Sequence, residues 1–463
     1  MGRGMTDRIR EGLAPAYLLL CLVLGGASAA GLWANMLLQL LAIPIILWSL
    51  VGSPDSSLSP PARRLILLAG LAVALVALQL VPLPPALWSL LPGRQAIVEG
   101  YQMLGMPLPW LPISLAPYDT VASALWLLPA LAVLIGMLRL GFNRDWLAWS
   151  VVIVAALSLP LGLVQVTAGS LFYIYEISDF GLYTGLFANA GHLALLLLVA
   201  LPLLVALYVG SARRGRGEKT IDRQTLILLT ALLAIAAGLI LSASLTALGL
   251  ALPVAIACLC IWLRRKRRIS RLWALPIGLL ALLYIGVVSF TSFQNSSIWN
   301  EAIGGPDSRH PALGKSIAAA LDFQPMGSGI GTFPDIYRRY EDADSVGRVY
   351  LNHAHNDYVE LLLETGLPGL ALIIAFLLWW GRRTHAIWLS NESGPLQRAA
   401  TIASGTILVH SAVGYPLRTA ALAAVFAACC ALMARPREKN VSQRGPGSQP
   451  AKYGRTARHL SAN

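Results

Sequence analysis

Residues 353–369 read HAHNDYVELLLETGLPG. Two histidines, an asparagine and several acids lead directly into an apolar stretch that continues to Trp380. Ionisable groups are costly inside hydrocarbon, so a junction of this kind belongs where a water-facing loop enters a membrane helix.

Of the 463 residues, 56% are hydrophobic and only 12% are charged, against about 25% charged in an ordinary soluble domain. Several apolar runs reach the roughly 20 residues a helix needs to cross about 30 Å of hydrocarbon. An open sheet facing lipid is excluded, because its edge would leave backbone groups unpaired. The expectation is an all-α, polytopic integral membrane protein of about 12 transmembrane helices. The windows fall near 13–30, 32–51, 65–83, 120–140, 146–168, 188–209, 225–241, 245–263, 272–291, 358–380, 397–414 and 418–434. The first carries the basic and apolar segments of a cleavable signal but is read as a retained helix. All five cysteines lie inside apolar runs without metal-site or disulfide spacing and read as small helix residues.

The net charge of +13 comes from short clusters at the ends of apolar runs: Arg63-Arg64, Arg213 to Arg216, Arg264 to Arg268, Arg382-Arg383 and the tail from Arg435. No basic stripe with interleaved aromatics is present, so nucleic acid is not an expected partner. Placing the Arg264–Arg268 loop in the cytoplasm sets every other loop by alternation. The other basic clusters then fall on the same side, as the positive-inside rule requires, with both termini cytoplasmic. The connections Pro84–Asp119, Gly169–Phe187 and Thr291–Asp357 are expected on the opposite, outer side. The last, about residues 292–357, far exceeds the usual 2–8 residue helix connection. Its Trp299, Phe323, Phe333, Tyr337, Tyr340 and Tyr350 predict an ordered loop, since disordered tracts are poor in such anchors. The transmembrane domain is expected over 1–434, with a disordered cytoplasmic tail over 435–463.

His355-Asn356 followed by Gly366 and Gly369 resembles the signature of the O-antigen ligase and polymerase superfamily. Four other stretches resemble that family in the same order: Phe187–Ala194, Leu241–Ala247, Pro325–Phe333 and His410–Arg418. Leu245 stands where the family often has arginine, and Gly414 where it often has an acid. The resemblance implies transfer of a glycan from an undecaprenyl-diphosphate carrier to a glycan or lipid-linked saccharide acceptor among membrane lipids. It implies no metal and no cofactor.

The chemistry can also be argued from residue types. Transfer from a diphosphate needs a base for the acceptor hydroxyl and cations for the leaving group. His355 is the candidate base, because imidazole alone has an ordinary pKa near 6.5; the competing reading makes it a helix cap, although Asn356 and Asp357 are better caps. Arg309 and Arg418 are the candidate diphosphate ligands, with Arg338, Arg339, Arg348 and Lys315 behind them and solvation or snorkelling as the alternative. Asn356 and Glu364 are candidate substrate contacts, and Glu360 shares a helix face with Glu364. Gly366 and Gly369 read as a close-packing surface or a bend after Pro368. Pro325–Phe333 could present backbone N–H groups to phosphate but lacks the lysine of a nucleotide loop. His353 with Asp342 or Asp344 raises a metal site that no further ligand completes. A transporter of a small anion is the rival reading, and it should place ionisable residues near the membrane midplane.

Overall fold

The computed structural model of the chain describes residues 5–29, 31–52, 58–211, 223–265, 309–341 and 351–435. Regular structure among them is helical, and no strand occurs; Leu83 and Leu111 form an isolated bridge. In chain order the helices are α1 (Met5–Leu24), α2 (Trp33–Val51), α3 (Pro60–Gln79), α4 (Pro85–Trp88), α5 (Gln95–Met103), α6 (Pro117–Leu125), α7 (Leu127–Arg139) and α8 (Arg144–Ala168). There follow α9 (Ala190–Ser211), α10 (Arg223–Leu241), α11 (Leu245–Arg265), α12 (Arg309–Asp322), α13 (Phe333–Tyr337), α14 (Asp357–Leu389), α15 (Pro395–His410) and α16 (Ala420–Ala434).

Among the described residues, eight segments are long and apolar enough to cross a membrane: α2, α3, α6 with α7, α8, α9, α10, α11 and α14. The chain is therefore a multi-pass membrane protein. Each predicted span that falls on described residues overlays a helix. α15 and α16, however, are shorter than the eight, at 16 and 15 residues, and the predicted span 272–291 lies outside the described residues.

α9 is apolar all round and packs against α8, α10, α11 and α15, which makes it the axis of the bundle. α16 is buried along its length against α1, α7 and α15. On outer helices the apolar side chains face away from this core: Trp33, Leu40 and Leu47 on α2, Leu67 and Leu78 on α3, Leu233 and Ile240 on α10. Such faces suit lipid.

The helix ends sort into two groups. At one end Arg10 donates to Gly52 O (3.2 Å), Arg139 to Ser49 O (3.3 Å), Ser59 Oγ to Ala434 O (2.7 Å) and Arg383 Nε to Met433 O (2.9 Å). The Arg435 guanidinium lies 4.0 Å above the Phe142 ring. This basic end gathers the described members of the sequence clusters. At the other end Tyr175 OH donates to Leu24 O (3.0 Å), Ala188 N to Gly26 O (3.1 Å) and Ala421 N to Gly25 O (3.0 Å). The starts of α9, α14 and α16 meet there, and this polar end carries the site described next.

α12 and α13 occupy the polar end as a small layer with its own core of Ala319, Ala320, Phe323, Phe333, Ile336 and Tyr337, joined by Ala354 and Leu363. Phe323, Phe333, Tyr337 and Tyr340 are thus the anchors that the sequence suggested, whereas Trp299 and Tyr350 lie outside the described residues. The tail beyond Arg435 also lies outside them.

Candidate functional site

The start of α14 builds the site. Asn356 is its N-cap: Oδ1 accepts from Tyr358 N (3.0 Å) and Val359 N (3.1 Å), while Nδ2 donates to Ala412 O (2.8 Å). The cap satisfies two of the helix's orphan amides and ties them to the turn after α15. It also sets the helical phase, so that Asp357, Glu360 and Glu364 share one face. All three are buried.

Arg418, in the turn before α16, reaches every one of them. Its Nη2 lies 2.9 Å from Glu364 Oε2 and 3.3 Å from Glu360 Oε1, and its Nε lies 3.8 Å from Asp357 Oδ1. Burial works against the guanidinium's charge, but the carboxylates of Glu360, Glu364 and Asp357 outweigh it and raise its pKa. The acids outnumber the arginine, and neighbouring groups supply the remaining compensation. Ala354 N donates to Glu360 Oε2 (2.8 Å), Gly331 N to Glu364 Oε1 (2.8 Å) and Ser411 Oγ to Asp357 Oδ2 (2.8 Å). His353 Nδ1 stands 2.8 Å from Glu360 Oε1.

His355 lies two residues beyond, half-buried, with φ of 51°. Few residues other than glycine hold that left-handed conformation, and those that do concentrate at functional sites. Because Asn356 is the cap, His355 is not. Its ring instead meets Tyr415 edge-on at 4.8 Å, and the same tyrosine meets His353 at 4.7 Å and His192, from the start of α9, at 5.0 Å. One buried aromatic ring therefore gathers three imidazoles at the polar end. An imidazole partly open to solvent and held by its backbone can accept a proton from a bound hydroxyl.

The two glycine motifs pack on each other. Pro368 has no N–H to give to Glu364 O, and Leu367 N is diverted to Pro325 O (2.9 Å). The carbonyls thus released accept from the glycine loop: Leu363 O from Ser328 N (3.0 Å), and Glu364 O from Gly329 N (2.9 Å) and Gln79 Nε2 (2.8 Å). The helix bends at Gly366 (φ 60°, ψ −156°), before Pro368 and not after it. A Cβ at Gly366 would stand 2.1 Å from Pro325 O, so only glycine fits. Gly327 N donates to Phe323 O (2.8 Å), Ile330 N to Gln79 Oε1 (3.0 Å) and Thr332 N to Gly329 O (3.3 Å). The amides from Gly327 to Thr332 are thus used within the protein, which corrects the expectation that this loop could offer them to phosphate.

The structure brings together His355, Asn356, Glu364 and Arg418, although the side chains of the last three are engaged by protein groups. Arg309 opens α12, but its side chain, like that of His310, lies outside what is described, as do Arg348, Asp342 and Asp344. Leu245 opens α11 with an exposed side chain and brings no charge. At Gly414 a Cβ would stand 2.9 Å from His410 Cε1, so a larger residue there requires the His410 ring to shift. Sequence reasoning missed Tyr415, Gln79 and the inclusion of Asp357 with the two glutamates. The 357, 360, 364 spacing was the available signal for the last.

No curated protein matches the sequence. Residues 227–374 match the family model described as O-antigen ligase, a region that holds the Leu241–Ala247 and Pro325–Phe333 stretches, His355 and the Gly366 bend. That match over part of the chain supports an O-antigen ligase/polymerase-like superfamily assignment for this multi-pass membrane protein.

Proposed function

We propose that the chain is a glycosyltransferase of the bacterial inner membrane. It moves or polymerises an undecaprenyl-diphosphate-linked oligosaccharide at the periplasmic face, without a metal and with inversion at the anomeric carbon. His355 acts as the base that takes the proton of the acceptor hydroxyl as that oxygen attacks the anomeric carbon and the lipid diphosphate leaves. Direct displacement inverts configuration. Asn356 fixes the start of α14 and with it the position of His355, and Arg418 holds Glu360 and Glu364 in place. A diphosphate drawing on Arg418 would have to displace Glu364 from its 2.9 Å contact.

The observation that carries this reading is the half-buried His355, held in a left-handed conformation against Tyr415 at the end of the bundle opposite the basic clusters. That end would be periplasmic by the positive-inside rule. The transporter reading asks for charge near the middle of the spans, whereas Asp357, Glu360 and Glu364 lie in the first turns of α14. Proteoliposomes given a labelled undecaprenyl-diphosphate oligosaccharide and a saccharide acceptor decide between the two. Transfer should yield a longer glycan and free lipid diphosphate with no ion current. Solute flux without any glycan product would overturn the proposal.

A further inference from the structure

The connection between α3 and α6 shows the wrong kind of side chain for a loop that stands in water. From Val81 to Tyr118 it carries two charged residues, Arg94 and Glu99, and Arg94 is buried. In the same stretch Leu87, Leu90, Met103, Leu104, Met106 and Trp110 are each more than half exposed. Apolar side chains standing singly on a surface are ordinary, but six of them between residues 87 and 110 are not.

The connection is built, not loose. Leu83 and Leu111 exchange both backbone hydrogen bonds (2.9 and 3.2 Å), and the buried Trp88 donates through Nε1 to Pro109 O (2.8 Å). These bonds hold the stretch bearing Leu87 and Leu90 beside the one bearing Trp110. α5 ends in a tight turn, with Gly105 at φ of 62° and Met106 N donating to Tyr101 O (3.0 Å), and that turn presents Met103, Leu104 and Met106 outward. Apolar exposure also runs on into membrane-crossing segments at both ends. Leu71 and Leu78 on α3 are exposed, as is Val81 just beyond it, and Tyr118, Val121 and Leu125 are exposed on α6. The α12–α13 layer at the same end differs, since α13 and the residues after it turn Asp335, Arg338 and Arg339 to the surface.

We infer that the α3–α6 connection is an interfacial element whose partner is a phospholipid surface, lying in the lipid–water boundary of the leaflet at the polar end. Its apolar side chains continue the lipid-facing surfaces of α3 and α6, and their burial among acyl chains removes them from water. Trp110 and Tyr118 suit that boundary, where an aromatic ring with a polar handle meets both hydrocarbon and water. The element is tied to the site. Ser114 N donates to Gln79 O (3.0 Å), Leu115 N to Ser328 O (2.8 Å) and Thr120 Oγ1 to Ile330 O (2.7 Å). Its seat in the leaflet thereby fixes the depth of the glycine loop that braces Glu364, whatever reaction takes place there.

The test uses the full-length protein, one copy in each phosphatidylethanolamine–phosphatidylglycerol nanodisc, with a nitroxide placed at Leu90→Cys, Met103→Cys or Met106→Cys. Spin-labelled wild type supplies the background from the native cysteines, of which four are buried and Cys260 is half-buried. Leu67→Cys on the exposed face of α3 is the hydrocarbon standard, and Arg339→Cys after α13 is the water standard. Labels on the connection should collide with oxygen in preference to a water-soluble nickel chelate, at a ratio several-fold above that at Arg339 and approaching that at Leu67. All three positions are exposed, so a variant that fails to fold leaves the other two to decide. Ratios at the Arg339 level would place the connection in water and overturn the inference. Labels shielded from both reagents would reveal a protein cover in place of lipid and overturn it equally.

Discussion

Arg418 has a side chain 16% exposed and three carboxylates within 4 Å, so it acts as the countercharge of a buried cluster. Removing one partner of such a set leaves uncompensated charge, at a cost of about 3–5 kcal/mol. Arg418→Ala is therefore expected to lose most of the folded protein from detergent extracts, as size-exclusion profiles would show. Arg418→Lys keeps the charge but cannot span Glu364 and Glu360 with one planar group. It should fold and transfer glycan at least roughly tenfold more slowly. A lysine variant as active as wild type would mean that the three contacts do not set the site's geometry. His355, Asn356, Glu364 and Arg418 were legible as a set because a local motif marks each of them. Their bonds were not, since Arg418 meets Glu364 across 54 residues of sequence and local spacing carries no record of such a contact.

At the scale of elements, the bend in α14 joins the site to the scaffold. Pro368 and Gly366 announced an irregularity in the sequence, but its position and its partner were set by the glycine loop, whose amides bond to the carbonyls the bend releases. Gln79 closes the arrangement from α3, donating to Glu364 O at 2.8 Å and accepting from Ile330 N at 3.0 Å. Gln79→Leu keeps the size and removes both bonds. With buried polar groups costing about 1–3 kcal/mol each when left unmet, its melting midpoint should fall and its transfer rate with it. Gly366→Ala should do more harm, because a left-handed conformation costs a non-glycine residue about 1–3 kcal/mol before the clash with Pro325 O is counted. An alanine variant with wild-type melting would show that the bend can relax without the glycine. Gln79 itself was illegible, as a lone glutamine near the end of an apolar run gives no hint of what it will meet.

For the molecule as a whole, composition and the spacing of basic clusters were enough to give a helical membrane protein with two unlike ends, because hydrocarbon thickness and charge asymmetry act on the whole chain. The shortness of α15 and α16 was less legible, since capping by Thr419 and the turn after His410 end these helices inside apolar windows. Reporter fusions after Lys315, in the α12 layer, and after Gly381, beside Arg382 and Arg383, should report opposite sides of the membrane. Both on one side would contradict the two-ended organisation. On the proposed function, glycan transfer takes place at the polar end with His355 as base. The most direct measurement is the transfer rate of purified His355→Ala with the lipid-diphosphate donor, alongside a size-exclusion profile matching wild type. A loss of roughly 10²–10⁴-fold with the fold retained is expected of a general base; a rate within a few-fold of wild type would remove His355 from that role.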